Sequence, residues 1–186
     1  LLTIACLPFA VFCLFVFFRY ERRVDPAHAV FPQSLRRNPR FLVAAVFGLF
    51  AALGVFALTF LVSNYIQSVL GQTAFSAGAA LAPASIASVV TAPIAGRWVD
   101  EGEARLVLQI GFGASAVGTA LSMLIAAMGG SWVWFLGATV VFGIGNGFVM
   151  APLTTVGMTA LRGDEFGAAS SLLNVLRQAG PVLGGA

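Results

Sequence analysis

Charge is scarce in this sequence: 9% of its residues are Asp, Glu, Lys or Arg. A soluble globular domain carries roughly 25%. Two stretches of 56 residues, 41–96 and 106–161, hold no charged side chain at all. One or two buried core helices do not account for runs of that length, so a soluble domain is excluded and a membrane protein is the reading left. Cysteine and histidine are nearly absent. Cys6 and Cys13 both fall in the first apolar run and read as small packing residues, not as a disulfide or a metal pair. The lone His28 lies in a basic linker and the acids lie outside the apolar runs, so neither a metal cluster nor an enzyme's set of nucleophile, base and ligands can be assembled. No cofactor is implied. Short alternating segments are missing too, which excludes a membrane β-barrel.

What is present is contiguous apolar sequence, 59% of the chain. Runs such as FLVAAVFGLFAALGVFALTFLV require helices, because only a helix satisfies its own backbone inside a bilayer. The expected fold is therefore all-α, a polytopic transmembrane helical bundle. A crossing takes about 20 residues. The runs read as spans over 1–18, 41–65, 75–95, 106–128, 132–160 and 166–186. The chain starts at Leu1 without an initiating Met and ends on GPVLGGA, and it reads as an internal piece of a larger protein.

The few charges are clustered. The linker 19–40 holds six arginines against Glu21 and Asp25, a net charge of +4. APIAGRWVDEGEAR, residues 92–105, holds Arg97, Asp100, Glu101, Glu103 and Arg105. Arg162, Asp164 and Glu165 form the third group, while the turns near 64–74 and 128–132 carry none. Each uncharged run is thus a hairpin of two spans. Arginine bias places the three charged linkers on the cytoplasmic side. The basic linker reads as a topology anchor near anionic lipid, with a nucleic-acid or lipid-binding arm as the alternative. Pro26, Pro32 and Pro39 exclude one long helix there.

Small residues concentrate in the spans. Gly143, Gly145 and Gly147 fall two apart and so occupy more than one helix face, which suits a helix crowded on several sides or one able to bend. Pro83, Pro93, Pro152 and Pro181 lie in or beside spans, where proline frees a carbonyl and favours a kink. Arg177 is the one charge expected inside a span. It stands 11 residues after Phe166, about 16 Å along a helix. Either it snorkels to the headgroups or it serves a buried polar network with Asn174 and Gln178 beside it. No span shows a repeated polar stripe, which disfavours a channel.

Four stretches carry a resemblance. RRNPRF (36–41), YIQSVLGQTAFSAGAALAP (65–83), GRWVDEGEAR (96–105) and GAASSLLNVLRQAGPVLGGA (167–186) resemble the carboxy-terminal half of a major facilitator superfamily transporter. Within it they resemble the fourteen-helix drug/proton antiporter branch of bacteria. The resemblance spans essentially the whole chain and implies a partial major-facilitator fold. Residues 1–18 would be a linker helix between two bundles, 19–40 the cytoplasmic linker, and 41–186 part of the carboxy-terminal bundle. It further implies a multi-pass protein of the bacterial inner membrane in which two bundles rock about a central site. Drug-like or other amphipathic molecules would be exchanged there for protons. Its partners would be that small-molecule substrate, protons, membrane lipid and the amino-terminal bundle of the same chain, with no nucleic acid. A transporter of one specific metabolite or sugar is the alternative, and a non-transporting structural membrane protein the second.

A site for such compounds is mostly apolar with a few polar handles. The candidates are Asn64, Tyr65, Gln67, Asn146, Asn174, Arg177 and Gln178. Asn146 stands between glycines in an apolar span, where an unpaired amide is costly, so it either bonds a neighbouring helix or lines a cavity. In the loop motif the resemblance gives Gly96 close helix approach and Asp100 a helix end or an arginine to meet, while Arg97 and Arg105 could pair across the turn. The motif is incomplete: Glu101 and Ala104 stand where basic residues are usual, and Gly102 comes one place early.

Overall fold

The computed structural model describes the backbone continuously over 39–159, side chains over 41–150, and single positions at 19, 167, 170, 171, 173–175 and 178. The expected spans 1–18 and 166–186 and the linker 19–40 lie almost wholly outside the described residues. Four helices fill the described region. They are α1 (Pro39–Asn64), α2 (Ala74–Asp100), α3 (Ala104–Ala127) and α4 (Phe135–Thr159). Each belongs to a segment long and apolar enough to cross a membrane. The chain is an all-α membrane bundle.

The ends of these helices follow from local chemistry. Asn64 and Gln67 suggest a turn, but α1 runs on as a π-helical segment, Tyr65–Val69. The Leu70 N–H donates to the Tyr65 carbonyl at 3.1 Å, and the segment stops at Gly71. The polar side chains do not end the helix because they are exposed and leave its backbone bonds intact. Thr73 then caps α2, its hydroxyl accepting from the Ser76 N–H at 3.4 Å. Pro83 and Pro93 both lie inside α2, which continues unbroken through them. Between α2 and α3 only residues 101–103 are non-helical, and Gly102 makes the reversal with φ +95°. A left-handed residue there lets the Glu103 N–H reach back to the Trp98 carbonyl at 3.0 Å. Most of the charged motif is thus the end of a helix and the start of the next.

α4 is the central element, packed along α2 on one side and α3 on another. Its glycines explain how three backbones come so close. A Cβ at Gly143 would run into the Ala84 backbone of α2, and one at Gly145 into Ser115 and Gly111 of α3. Close approach of this kind is what small residues provide in membrane bundles. Of the two readings of the 143–147 run, crowding on several sides is the one observed. α1 closes the group through an apolar cluster at the end remote from the charged loop: Leu58, Val62 and Ile66 pack with Ala77 and Ala80 of α2 and Phe135 and Phe142 of α4.

Candidate functional site

A cavity of about 420 Å³ lies between α1, α3 and α4, near the middle of each helix. Its walls are largely aromatic and small: Phe50 of α1, Phe112 of α3 and Phe142 of α4, with Ala116 and Ala120 between them. Toward the charged loop it is bounded by the Phe47–Phe112 ring contact, centroids 5.3 Å apart, and by Ala44 packed on Val149. Toward the opposite end it meets the cluster that holds Leu58 and Phe142, and it is open on the side of Phe50, Ala116, Ala120 and Met123, all of them exposed. Three polar residues border this apolar space, Ser115, Thr119 and Asn146, with the Ser115 hydroxyl against Gly145 of α4.

Asn146 does both things its setting suggests. Its Nδ2 donates to the Ser88 Oγ of α2 at 3.4 Å, and the side chain also lines the cavity. Two further links stitch the same α2–α4 seam. The buried Thr139 hydroxyl is 2.8 Å from the Ala80 carbonyl, shared with its own Phe135 carbonyl. Thr91 lies 3.4 Å from the Ile144 carbonyl while bonding Ala87 in its own helix at 2.8 Å. These hydroxyls are the residues sequence reasoning missed. Ser85, Ser88 and Thr91 recur every three residues, and Ser115, Thr119 and Ser122 at three or four, so a polar stripe is present after all. On α3 these hydroxyls bond within their own helix: Thr119 donates to the Ser115 carbonyl and the buried Ser122 to the Gly118 carbonyl, each at 2.9 Å.

Among the described residues, the other candidates do not converge on Asn146. Asn64 and Gln67 are exposed at the far end of α1, and Gln67 donates back to the Ser63 carbonyl at 3.3 Å. Tyr65 is half-buried. Its hydroxyl donates to the Gly130 carbonyl at 3.2 Å and its ring packs on Phe135, centroids 5.4 Å apart. It ties the π-helical end of α1 to the α3–α4 turn. Asn174 and Gln178 are exposed single positions, and Arg177 lies outside the described residues.

Among the described residues the loop motif makes few contacts of its own. Gly96 and Arg97 lie within α2, Asp100 ends it, and Arg105 is in the first turn of α3. A Cβ on Gly96 would meet nothing within 4 Å, so no described helix approaches closely there. The packed residue is its neighbour Ala95, fully buried with Val107 and Phe148. Trp98 adds an edge-on contact to Phe148 at 5.7 Å. Arg97, Asp100 and Arg105 are all exposed, and none makes an ion pair with another described residue. The reason is geometric: one helix ends and the next begins within three residues, which points these side chains outward.

The described helices thus form a bundle with an apolar cavity near the middle of α1, α3 and α4, bordered by a few polar residues. The chain matches the Major Facilitator Superfamily over residues 1–185, and it belongs to that family. It is 31% identical over 186 residues to the MFS-type transporter YfiU of Bacillus subtilis, covering 96% of this chain and 34% of that protein. It is 32% identical over 169 residues to the methylenomycin A resistance protein of Streptomyces coelicolor, 88% of this chain and 34% of that one. The multidrug resistance protein Stp of Mycobacterium tuberculosis is 29% identical over 130 residues, 70% of this chain and 24% of the relative. The chain spans 22% to 38% of the length of the curated relatives it matches. No solved structure matches it.

Proposed function

We propose that this chain is part of a secondary transporter that exports drug-like or other amphipathic small molecules in exchange for protons, across a bacterial inner membrane. The observation that carries this reading is the cavity. A 420 Å³ space walled by Phe50, Phe112 and Phe142 suits flat apolar compounds, and its three polar side chains are too few for the dense hydrogen bonding of a sugar. Relatives named for multidrug and methylenomycin A resistance support export of such compounds. In this reading the charged 101–103 loop is cytoplasmic and the turns at 70–73 and 128–131 face outward. Helices α1–α4 then supply part of one bundle, which rocks against an amino-terminal bundle of the same protein. α1–α4 carry no acid away from the loop end, so the protonated group that couples transport belongs to another part of the protein.

The test is accumulation of an uncharged antibiotic, chloramphenicol, in cells making the full-length protein. Lower accumulation than in control cells, restored by a protonophore, is expected. Equal accumulation at normal protein levels overturns the proposal.

A further inference from the structure

The end of α1 remote from the charged loop is wound differently from the rest of the helix. α1 is an ordinary α-helix as far as Asn64 and then widens into one π turn, Tyr65–Val69. No glycine or proline stands between Val55 and Leu70 to cause it. The cause is the seam that α1 presents to its neighbours. Leu58, Val62, Ile66 and Leu70 all pack in the cluster around Phe135, and each follows the last by four residues. In an α-helix each step of four overshoots a full turn by about 40°, so three steps carry the last side chain roughly 120° off the seam. A turn wound wider than α takes back that drift. It keeps Ile66 fully buried and Leu70 on the cluster, while Gln67, Ser68 and Val69 are exposed.

π turns are rare and short, and the α-helix is the default for the same residues. What holds this one is therefore tertiary contact. The Tyr65 hydroxyl donates to the Gly130 carbonyl at 3.2 Å, and its ring centroid lies 5.4 Å from that of Phe135. Beyond the turn the chain is closed off by Gly71 at φ +62°, with the Gln72 N–H donating to the Ile66 carbonyl at 3.0 Å. Rewinding the turn to α would pass the Leu70 N–H from the Tyr65 carbonyl, now 3.1 Å away, to that of Ile66. Everything beyond would advance by one residue, about 100° around the axis and about 1.5 Å along it. Leu70 would leave the seam, and the 70–73 turn into α2 would be re-aimed. The segment thus has two helical arrangements, told apart by whether Tyr65 and Leu70 are docked.

We infer that the π turn is a conformational hinge with the Tyr65–Gly130 hydrogen bond as its clasp. Docked, it holds the end of α1 shut against α2 and the α3–α4 turn. Rewound to α, it swings Leu70 and the 70–73 turn outward. The inference goes beyond the exporter reading and does not depend on what is carried. The test is double electron–electron resonance on the purified full-length protein, its own cysteines replaced, with nitroxides at Val69→Cys and Val133→Cys, two exposed positions. Two distances are expected. Tyr65→Phe removes the clasp and should raise the ratio of the second population to the first by about fivefold. Deleting Ser68, an exposed residue of the turn, brings Leu70 within three residues of Ile66, a spacing that a plain α-helix keeps on one face. That variant should show one distance. A single distance in both the unmodified and the Tyr65→Phe proteins overturns the inference, as does a second distance that survives the deletion. Where the deletion variant does not fold, the Tyr65→Phe comparison decides alone. At normal protein levels the deletion variant should also lose most of its chloramphenicol export, since lid and hinge motions set many turnover rates. Two distances in a full-length protein that exports nothing would leave the hinge standing and remove the exporter reading alone.

Discussion

The Asn146 amide donates to the Ser88 hydroxyl across the α2–α4 seam at 3.4 Å while the same side chain lines the cavity. One residue therefore joins the packing of two helices to the polar face of the candidate site. Ser88→Ala removes the partner alone. It should lower thermal stability of the purified protein by about 0.5–1 kcal/mol, the usual worth of an interhelical hydrogen bond in a membrane. Asn146→Leu should lower chloramphenicol export much further than Ser88→Ala does, because it also removes the cavity's one amide. Equal export by the two variants would reduce Asn146 to a packing residue.

Backbone proximity at α4 gives a sharper structural prediction. Gly143→Val drives a side chain into the Ala84 backbone, and overpacking of this kind costs about 2 kcal/mol or more. A lower melting temperature and poorer yield of folded protein are expected. Gly113, where a Cβ would meet nothing within 4 Å, is the control. Gly113→Ala should leave stability unchanged or raise it by about 0.5–1 kcal/mol through helix propensity.

Tyr65 holds the π-helical end of α1 to the α3–α4 turn in two ways, by its hydroxyl on Gly130 and its ring on Phe135. Tyr65→Phe removes only the first and should cost about 1 kcal/mol. Tyr65→Ala removes both and should cost about 3 kcal/mol. Thermal melts of the two variants separate the contributions, and identical losses would mean that ring packing carries nothing.

Arg177 is the one charge expected inside a span, and an intramembrane arginine is retained at a cost. Arg177→Ala should reduce proton-dependent export by about tenfold or more at normal protein levels. Unchanged export would assign it to snorkelling at the headgroups.

Much of the bundle was legible because charge marks where a bilayer ends. Arg40, Arg97 and Arg105 bracket the uncharged runs, and α1 to α4 lie along them. Helix ends were harder. Asn64 and Gln67 looked like a turn because amides are polar, yet an exposed amide does not break backbone hydrogen bonds, and the helix runs to Val69. The charged motif read as a loop, but Arg97 and Asp100 are helical, and only Gly102 had the conformational freedom to reverse the chain. The candidate site was legible in part. Asn146 stood out as an amide among glycines, whereas Ser88, Ser115 and Thr119 passed unnoticed because isolated hydroxyls are common in apolar helices. Their meaning depends on which helix lies opposite, which pairwise packing decides and local sequence does not.

The most direct measurement is chloramphenicol uptake into inside-out membrane vesicles containing the full-length transporter, with a proton gradient imposed across them. Uptake that follows the gradient, collapses with a protonophore and drops about tenfold in Ala116→Phe is the result the account predicts. Uptake indifferent to the gradient, or absent from vesicles that hold the folded protein, would contradict it.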